Sequence, residues 1–537
     1  MGSSTWILGL SCPSLSWPVV GSIVVFAAYT VWWHLHSPLR RYPGPFLAKF
    51  TNFWRMYHVT RGSFHNDLER LHHKYGPVVR IGPNILDVDY DPELIKTVFN
   101  TKGDWKKTEY YLASSALVDG NIVYNLFSEI DAAKHAQEKK HVAKYYSPNG
   151  VASFEPHIDK TIVHFCNELE KRFMNHLNES AKPTINMGEW ITFYTWDVVG
   201  AITFSKPLGY LSAGHDFDGT LSNAEKAVDY FAWVGTMPFL DHVFDKNRFY
   251  KPIGPPGFGR VTGISIQHLI DRYQGIDKAY HDPALPDFLD RFIEAKQQAA
   301  AAAKAEHGDS PAVTDNQIVG WLMINMIAGA DTTAIVLRSA IYYCLKNPRV
   351  WTRLRAELAA AGLTEEHTPL SYKATRAIPY LEAIVREALR ILPGVSLSLE
   401  RYVPAGEYRL PDGSNAPPGA ILGFNPYVLC RNKEVWGDDA QEFVPERWLR
   451  REGESEEGYK ERLQVMKGAD LSFGAGSRIC LGRHVGLMQV YKVMGTLAVR
   501  YELELADKEK EWKVINSWFP RQEGVEVRMW RRGGEGV

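Results

Sequence analysis

Five cysteines in 537 residues, at positions 12, 166, 344, 430 and 480, are too few, too scattered and odd in number for a disulfide framework. That scarcity points to a reducing compartment for the body of the chain and leaves each thiol to be explained by its own surroundings. Charge of either sign is not in excess. The 61 Lys and Arg balance 62 Asp and Glu, for a net charge of −1 and a pI near 7.0, so the basic surface expected of a nucleic-acid binder is missing. The chain also lacks a Ser/Gly linker, an internal repeat and a low-complexity block, and nothing divides its length into separate domains. What it has is 45% hydrophobic and 12% aromatic residues, enough to bury a large core.

The one compositional break lies at the N-terminus. Residues 1–38 contain no Lys, Arg, Asp or Glu, and residues 17–33 form a nearly unbroken apolar run flanked by tryptophans, about one bilayer crossing in length. Arg40, Arg41 and Lys49 follow the run, whereas a signal peptide carries its basic residues first. The positive-inside rule then predicts a luminal segment over 1–16, an anchor helix over 17–36 and a cytosolic body. In "YPGPF", residues 42–46, two prolines bracket a glycine, which stops the helix and sets a stiff hinge over 37–50 ahead of the body at 51–537. The competing reading is an apolar helix docked on the protein's own core. With the body in the cytosol, the sequon at residues 178–180 stays unmodified.

Helical periodicity dominates the body, over 63–75, 130–147, 155–178, 286–306, 315–346, 348–361 and 379–391. Short strand-like pieces lie between, at 78–82, 84–89 and 420–425. The fold class this predicts is mainly α, an α+β body with a small sheet.

The segment 315–346 is apolar nearly all round and should run through the middle of the protein. Within it stand Gly329, Asp331, Thr332 and Thr333, all weak helix formers. They suggest a local widening where a small ligand and water meet the backbone. The alternative is that Asp331 pairs with a buried arginine while Thr332 bonds back to the carbonyl of Ala328. On the next helical segment, Glu387 and Arg390 share one face among apolar neighbours, and Arg447 follows in "FVPERW". A buried Glu387 between those two arginines would be a structural clamp.

The stretch "LSFGAGSRICLG", residues 471–482, sets Cys480 in a glycine-rich turn. If Cys480 binds iron as a thiolate, a helix beginning at Leu481 aims backbone N–H groups and its positive end at the sulfur. Gly474 and Gly476 permit the turn, Gly482 lets a helix approach a flat ligand, Arg478 reaches an acidic group at the ligand's edge, and Phe473 shields the sulfur. A structural cysteine, or a nucleophile served by His484, are the other readings. A dinucleotide loop fails, because no Val/Ile-rich strand leads into the turn and no lysine follows at the phosphate-loop spacing.

Taken together, Phe473-x-x-Gly476-x-Arg478-x-Cys480-x-Gly482, Ala328-Gly329-x-Asp331-Thr332-Thr333, Glu387-x-x-Arg390 and Pro445-Glu446-Arg447 resemble the cytochrome P-450 family of haem-thiolate monooxygenases. The four motifs, in this order and at these separations, span the chain after the anchor. The "YPGPF", "KHAQEKKHVAKYYSP" and "LERYVP" segments look most like the fungal pisatin demethylase-like branch.

The resemblance implies the cytochrome P-450 fold, with haem b between the central helix and the Cys480 loop and a transmembrane helix in front. It makes Cys480 the axial iron ligand. It makes Asp331 and Thr332 the acid and alcohol that deliver protons, with Gly329 leaving room for dioxygen. Glu387, Arg390 and Arg447 become the structural triad, and Arg478 and Arg401 hold the haem propionates. Where many members carry Trp-x-x-x-Arg over the haem edge, this chain has His135-x-x-x-Lys139. Nothing resembles a flavin or nicotinamide domain, so electrons from NADPH must arrive through a separate cytochrome P-450 reductase, with cytochrome b5 as a second donor. Lys139, Lys140 and Arg483 are the expected docking cations. By the same analogy the body sits at the endoplasmic reticulum membrane. Its pocket is lined by residues 110–127, 321–328, 392–399 and 515–519, and its substrate is a largely apolar small molecule such as a fungal secondary metabolite. Two other functions fit the same residues: an oxygen-independent haem-thiolate isomerase or dehydratase, and a haem-binding sensor or carrier.

Overall fold

The longest element of the computed structural model, which describes residues 16–174, 183–305 and 313–532, is the central helix Asp315–Lys346. Thr314 starts it with a reciprocal capping box, its hydroxyl accepting from the N–H of Gln317 while the Gln317 side chain accepts from the N–H of Thr314. Apolar nearly all round, this helix has no face to offer water and lies mostly buried, although by length and composition alone it could cross a membrane. It packs on the equally apolar helix Met187–Phe204 and on helices Pro379–Ile391 and Arg483–Arg500. The expected widening is not there: the helix is α throughout. Thr332 and Thr333 satisfy their hydroxyls on the carbonyls of Ala328 and Gly329, which leaves the helical ladder intact.

The other expected helices appear with shifted ends, as Phe64–Tyr75, Glu155–Phe173, Phe288–Ala305 and Pro348–Ala360. The segment expected as one helix over 130–147 is broken. An α-helix Ala132–Val142, capped by the Asp131 carboxylate, gives way to a 3-10 turn Ala143–Tyr146, after which Ser147 caps a new helix beginning at Pro148.

Four strands build the main sheet. β1 (Val78–Gly82) pairs antiparallel with β2 (Ile85–Val88), which runs parallel to Ile421–Phe424; that strand in turn pairs antiparallel with Leu399–Tyr402. All three predicted strands belong to it. A separate hairpin joins Lys513–Ser517 to Phe519–Glu523, with Trp518 alone at its tip in the left-handed region, φ 76°.

The N-terminal helix spans Ser16–His36 and leaves Val24, Val25, Trp32 and Trp33 exposed. The hinge behind it is fastened to the body. The fully buried Arg80 of β1 donates to the carbonyls of Leu39, Lys49, Gly82 and Pro83, and its own N–H donates to the carbonyl of Pro43 at 2.7 Å. A Cβ at Gly44 would lie 2.1 Å from the Arg80 carbonyl oxygen, so "PGP" needs its glycine here. Most of the expected luminal segment, Cys12 and the sequon at 178–180 lie outside the described residues.

Candidate functional site

A cavity of about 320 Å³ opens between the central helix and the glycine-rich turn. The turn is held closed by the N–H of Cys480, which donates to the carbonyl of Phe473 at 2.8 Å. Gly474 and Gly476 adopt φ of 64° and 63°, and a Cβ at Gly476 would sit 1.9 Å from the Phe99 carbonyl oxygen. No other residue fits there. The following helix begins at Arg483, with Gly482 as its cap, two residues later than the sequence suggested. The shift places the N–H groups of Gly482 and Arg483 on the Cys480 sulfur, where they favour the thiolate against burial, which pushes the thiol up. The sulfur lies deep in the protein, and the surface it exposes faces the cavity. Phe473, Gly476, Arg478 and Gly482 line the same cavity.

At one edge of the cavity stand four basic side chains, Arg401, Arg478, His135 and Lys107. Arg478 donates to the carbonyl of Glu129 at 2.7 Å, Arg401 to that of Glu400 at 2.7 Å, and Lys107 to that of Phe127. The Lys107 Nζ also lies 3.7 Å from the centre of the Tyr111 ring. Among the described residues none of the four forms an ion pair with a carboxylate. Burial, with the charges of its neighbours, holds His135 down at about 3 and Arg478 at about 10, and drives Lys107 well below the usual lysine range. Buried basic groups served by carbonyls and the Tyr111 side chain, with no carboxylate partner among the described residues, call for an anion. A flat dianionic macrocycle with a metal for the sulfur meets that call, so the donor set fits haem.

Lys107 carries no motif and escaped the sequence reading; its one signal is an isolated bridge that ties it to Arg401 of the main sheet. Lys139, expected beside His135, is absent from the cavity wall. It reaches to the carbonyl of Ser477 at 2.9 Å and braces the Cys480 turn from outside.

Opposite, Ala328, Gly329, Thr332 and Thr333 of the central helix line the cavity. Gly329 also serves packing, since a Cβ there would lie 3.1 Å from Val199. Asp331 does not face the cavity. Its Oδ1 accepts from the indole Nε1–H of Trp196 at 3.1 Å, and among the described residues no arginine forms an ion pair with it. Burial raises its carboxyl above the usual range, against the Trp196 bond and the charges of Arg338 and Arg521.

The triad is a clamp away from the cavity. Glu387 is fully buried and accepts five hydrogen bonds: two from Arg390 at 2.8 and 2.9 Å, and one each from Arg447, the Trp448 indole and the Val444 N–H at 2.8 to 2.9 Å. Arg390 then ties this carboxylate to the carbonyls of Cys430, Ala440 and Glu442.

The rest of the wall is mostly apolar, with Ser114, Thr203, Asn325 and Gln489 among its few polar side chains. Each of the four expected segments contributes, through Tyr111, Phe127, Ile324, Leu399, Trp518 and others. Sequence reasoning missed the helices Met187–Phe204 and Thr220–Val234, which add Val199, Ile202, Val228 and Phe231. Arg521 is turned away into an ion pair with Asp229.

Residues 43–524 match the family model described as cytochrome P450. The chain is 45% identical over 515 residues to a cytochrome P450 monooxygenase, cfoH, of Aspergillus candidus, covering 95% of this chain and 92% of that one. It is 34% identical over 511 residues to the monooxygenase cicH of Emericella nidulans, with 95% and 97% covered. With vrtE of Penicillium aethiopicum it shares 31% over 540 residues, with 98% and 97% covered.

Proposed function

The chain belongs to the cytochrome P450 family, and on that premise we propose that it is a membrane-anchored enzyme oxidising an apolar fungal secondary metabolite with electrons from NADPH–cytochrome P-450 reductase. It is a haem-dependent monooxygenase. Haem b, when bound, supplies the activation of dioxygen that puts one oxygen atom into a C–H or C=C bond while the other leaves as water.

The chain's own residues supply the setting. Cys480 presents its sulfur to the iron, and the N–H groups of Gly482 and Arg483 steady the negative charge there. Arg401, Arg478, Lys107 and His135 would hold the propionates of the haem. Asp331, whose carboxyl is raised by burial, stands behind the wall, and the Thr332 hydroxyl beside it in sequence faces the cavity; these two are the acid and alcohol that would deliver protons. The aromatic wall excludes water and favours an apolar substrate.

Support for the anchor is the Ser16–His36 helix with its exposed valines and tryptophans, followed by Arg40 and Arg41. Placement at the endoplasmic reticulum, cytochrome b5 as second donor, and reductase docking at Lys139, Lys140 and Arg483 belong to the same reading; of these three cations, Lys139 donates to the carbonyl of Ser477 and Arg483 to that of Cys480. The oxygen-independent reading is not favoured, because the Thr332 hydroxyl stands on the cavity wall and the relatives are monooxygenases.

The observation that carries the reading is one cavity on which the Cys480 sulfur, Thr332 and an unpaired basic cluster meet. The full chain in lipid nanodiscs with a fungal reductase should consume NADPH and oxygen. Consumption that persists in Cys480→Ala contradicts the assignment.

A further inference from the structure

Trp518, at the tip of the hairpin between Lys513–Ser517 and Phe519–Glu523, has a φ of 76°, in the left-handed region that turns ordinarily give to glycine or asparagine. A bulky side chain holds that conformation only at a cost, and such outliers cluster at ligand-binding positions. The indole is not turned out to water. It is 2% exposed and lines the cavity.

Four rings from three other segments surround it: Tyr110 and Tyr111 of the 3-10 turn Glu109–Ser114, Phe127, and Phe231 of the helix Thr220–Val234. Their centres lie 5.4, 5.8, 5.7 and 5.2 Å from that of Trp518, in the same order. The pairs with Tyr111, Phe127 and Phe231 are edge-to-face, at 89°, 67° and 75°. All of these rings except Tyr110 are on the cavity wall. The polar atoms among them are already engaged. The Tyr111 hydroxyl accepts from the N–H of Glu400 at 3.0 Å, the Tyr110 hydroxyl donates to the carbonyl of Ala232 at 3.0 Å, and the neighbouring Ser114 hydroxyl donates to the carbonyl of Tyr111 at 3.0 Å. Lys107 Nζ lies over Tyr111 and Phe127, 3.7 and 4.2 Å from their centres, whereas among the described residues no cation lies over Phe231 or Trp518.

What a substrate meets at this part of the wall is therefore ring surface, with Phe231 and Trp518 the rings free of a cation. Aromatic pairs attract through their quadrupoles beyond the area they bury, a gain that a saturated ring of the same shape does not return. Resting on the reading of the protein as a haem monooxygenase with an apolar substrate, we propose that Trp518 and Phe231 select a substrate that carries an aromatic ring system over a saturated one of the same skeleton. The strained hairpin tip is the device that brings the indole to the wall.

Two azoles test this in the ferric holoenzyme. 1-(2-Naphthylmethyl)imidazole and its decahydronaphthyl counterpart offer the haem iron the same nitrogen and differ only in whether the arm is aromatic. The saturated arm is the more apolar, so burial alone favours it. Titrated by the Soret shift, the parent should bind the naphthyl compound about ten-fold tighter, the yield of one or two ring pairs. Trp518→Leu and Phe231→Leu should each bring the ratio toward one, and Trp518→Phe, which restores a ring, should keep most of it. The two Leu variants lie on separate elements, so either one that loads haem decides. A parent that binds the naphthyl compound no tighter, a Leu variant that keeps the parent's ratio, or a Trp518→Phe variant that loses it overturns the proposal. Unsubstituted imidazole tells this failure from a deeper one. If imidazole shifts the Soret band of the parent and the aromatic preference is missing, only the ring selection is lost. If it leaves the band of loaded protein unmoved, the iron does not face an open cavity and the reading of the site itself fails.

Discussion

The indole Nε1–H of Trp196 donates to Oδ1 of Asp331 at 3.1 Å, which fixes the acid of the proposed relay behind the cavity wall. Burial raises this carboxyl, so it keeps a proton at higher pH than an exposed aspartate does. The proton is lost as pH rises through that raised value, and coupling should fall in the same window. Trp196→Phe removes a bond that favours the carboxylate and should move the profile to higher pH by up to about one unit. Peroxide released per NADPH, followed against pH in both proteins, checks the shift and its sign.

Thr332 and Thr333 both bond back to the turn before them, yet the motif assigns the proton role to Thr332 alone. Thr332→Ala should divert electrons to peroxide and lower product formation on the order of 100-fold, the usual loss when a proton donor is removed. Thr333→Ala removes one ordinary buried hydrogen bond and should cost only about 1 kcal/mol of stability. Product-to-NADPH ratios for the two variants separate these effects; equal uncoupling would contradict the assignment.

Glu387 accepts bonds from two buried guanidinium groups, and Glu387→Gln leaves both without a counter-charge. The expected cost is about 3 to 5 kcal/mol, visible as a lower thermal midpoint and less haem per polypeptide. Glu446→Gln, at a partly exposed carboxylate that accepts from the Tyr380 hydroxyl, should cost about 1 kcal/mol or less.

Of the two left-handed glycines in the Cys480 turn, only Gly476 is jammed against backbone. Gly474→Ala meets nothing closer than the Arg478 carbonyl oxygen at 3.8 Å and should cost about 1 to 2 kcal/mol of strain. Gly476→Ala would bring its methyl to 1.9 Å from the Phe99 carbonyl and should prevent the turn from forming. Haem content of the purified variants distinguishes the two.

The parts of the site that could be read from sequence are those held by local spacing. Cys480, Arg478 and Gly476 share one turn, Asp331 and Thr332 share one helical turn, and Glu387 and Arg390 lie three residues apart, so short-range geometry already constrains them. Lys107 could not be found this way. Its position depends on an isolated bridge to Arg401, 294 positions later, and no local pattern records such pairing. His135 and Lys139 show the converse. Helical spacing puts them on one face, but the neighbouring turn offers Lys139 the Ser477 carbonyl and draws it off the wall. The missed helices Met187–Phe204 and Thr220–Val234 reach the cavity by packing alone, through Val199 and Val228, and their sequences read as plain core.

The central claim is that the Cys480 sulfur is the working ligand of a haem iron. The carbon monoxide difference spectrum of the dithionite-reduced full chain, expressed in yeast membranes, tests it most directly. The account predicts the strongly red-shifted Soret band of thiolate-ligated haem. A band at the position of histidine-ligated haem, in protein that is intact and loaded, would contradict it.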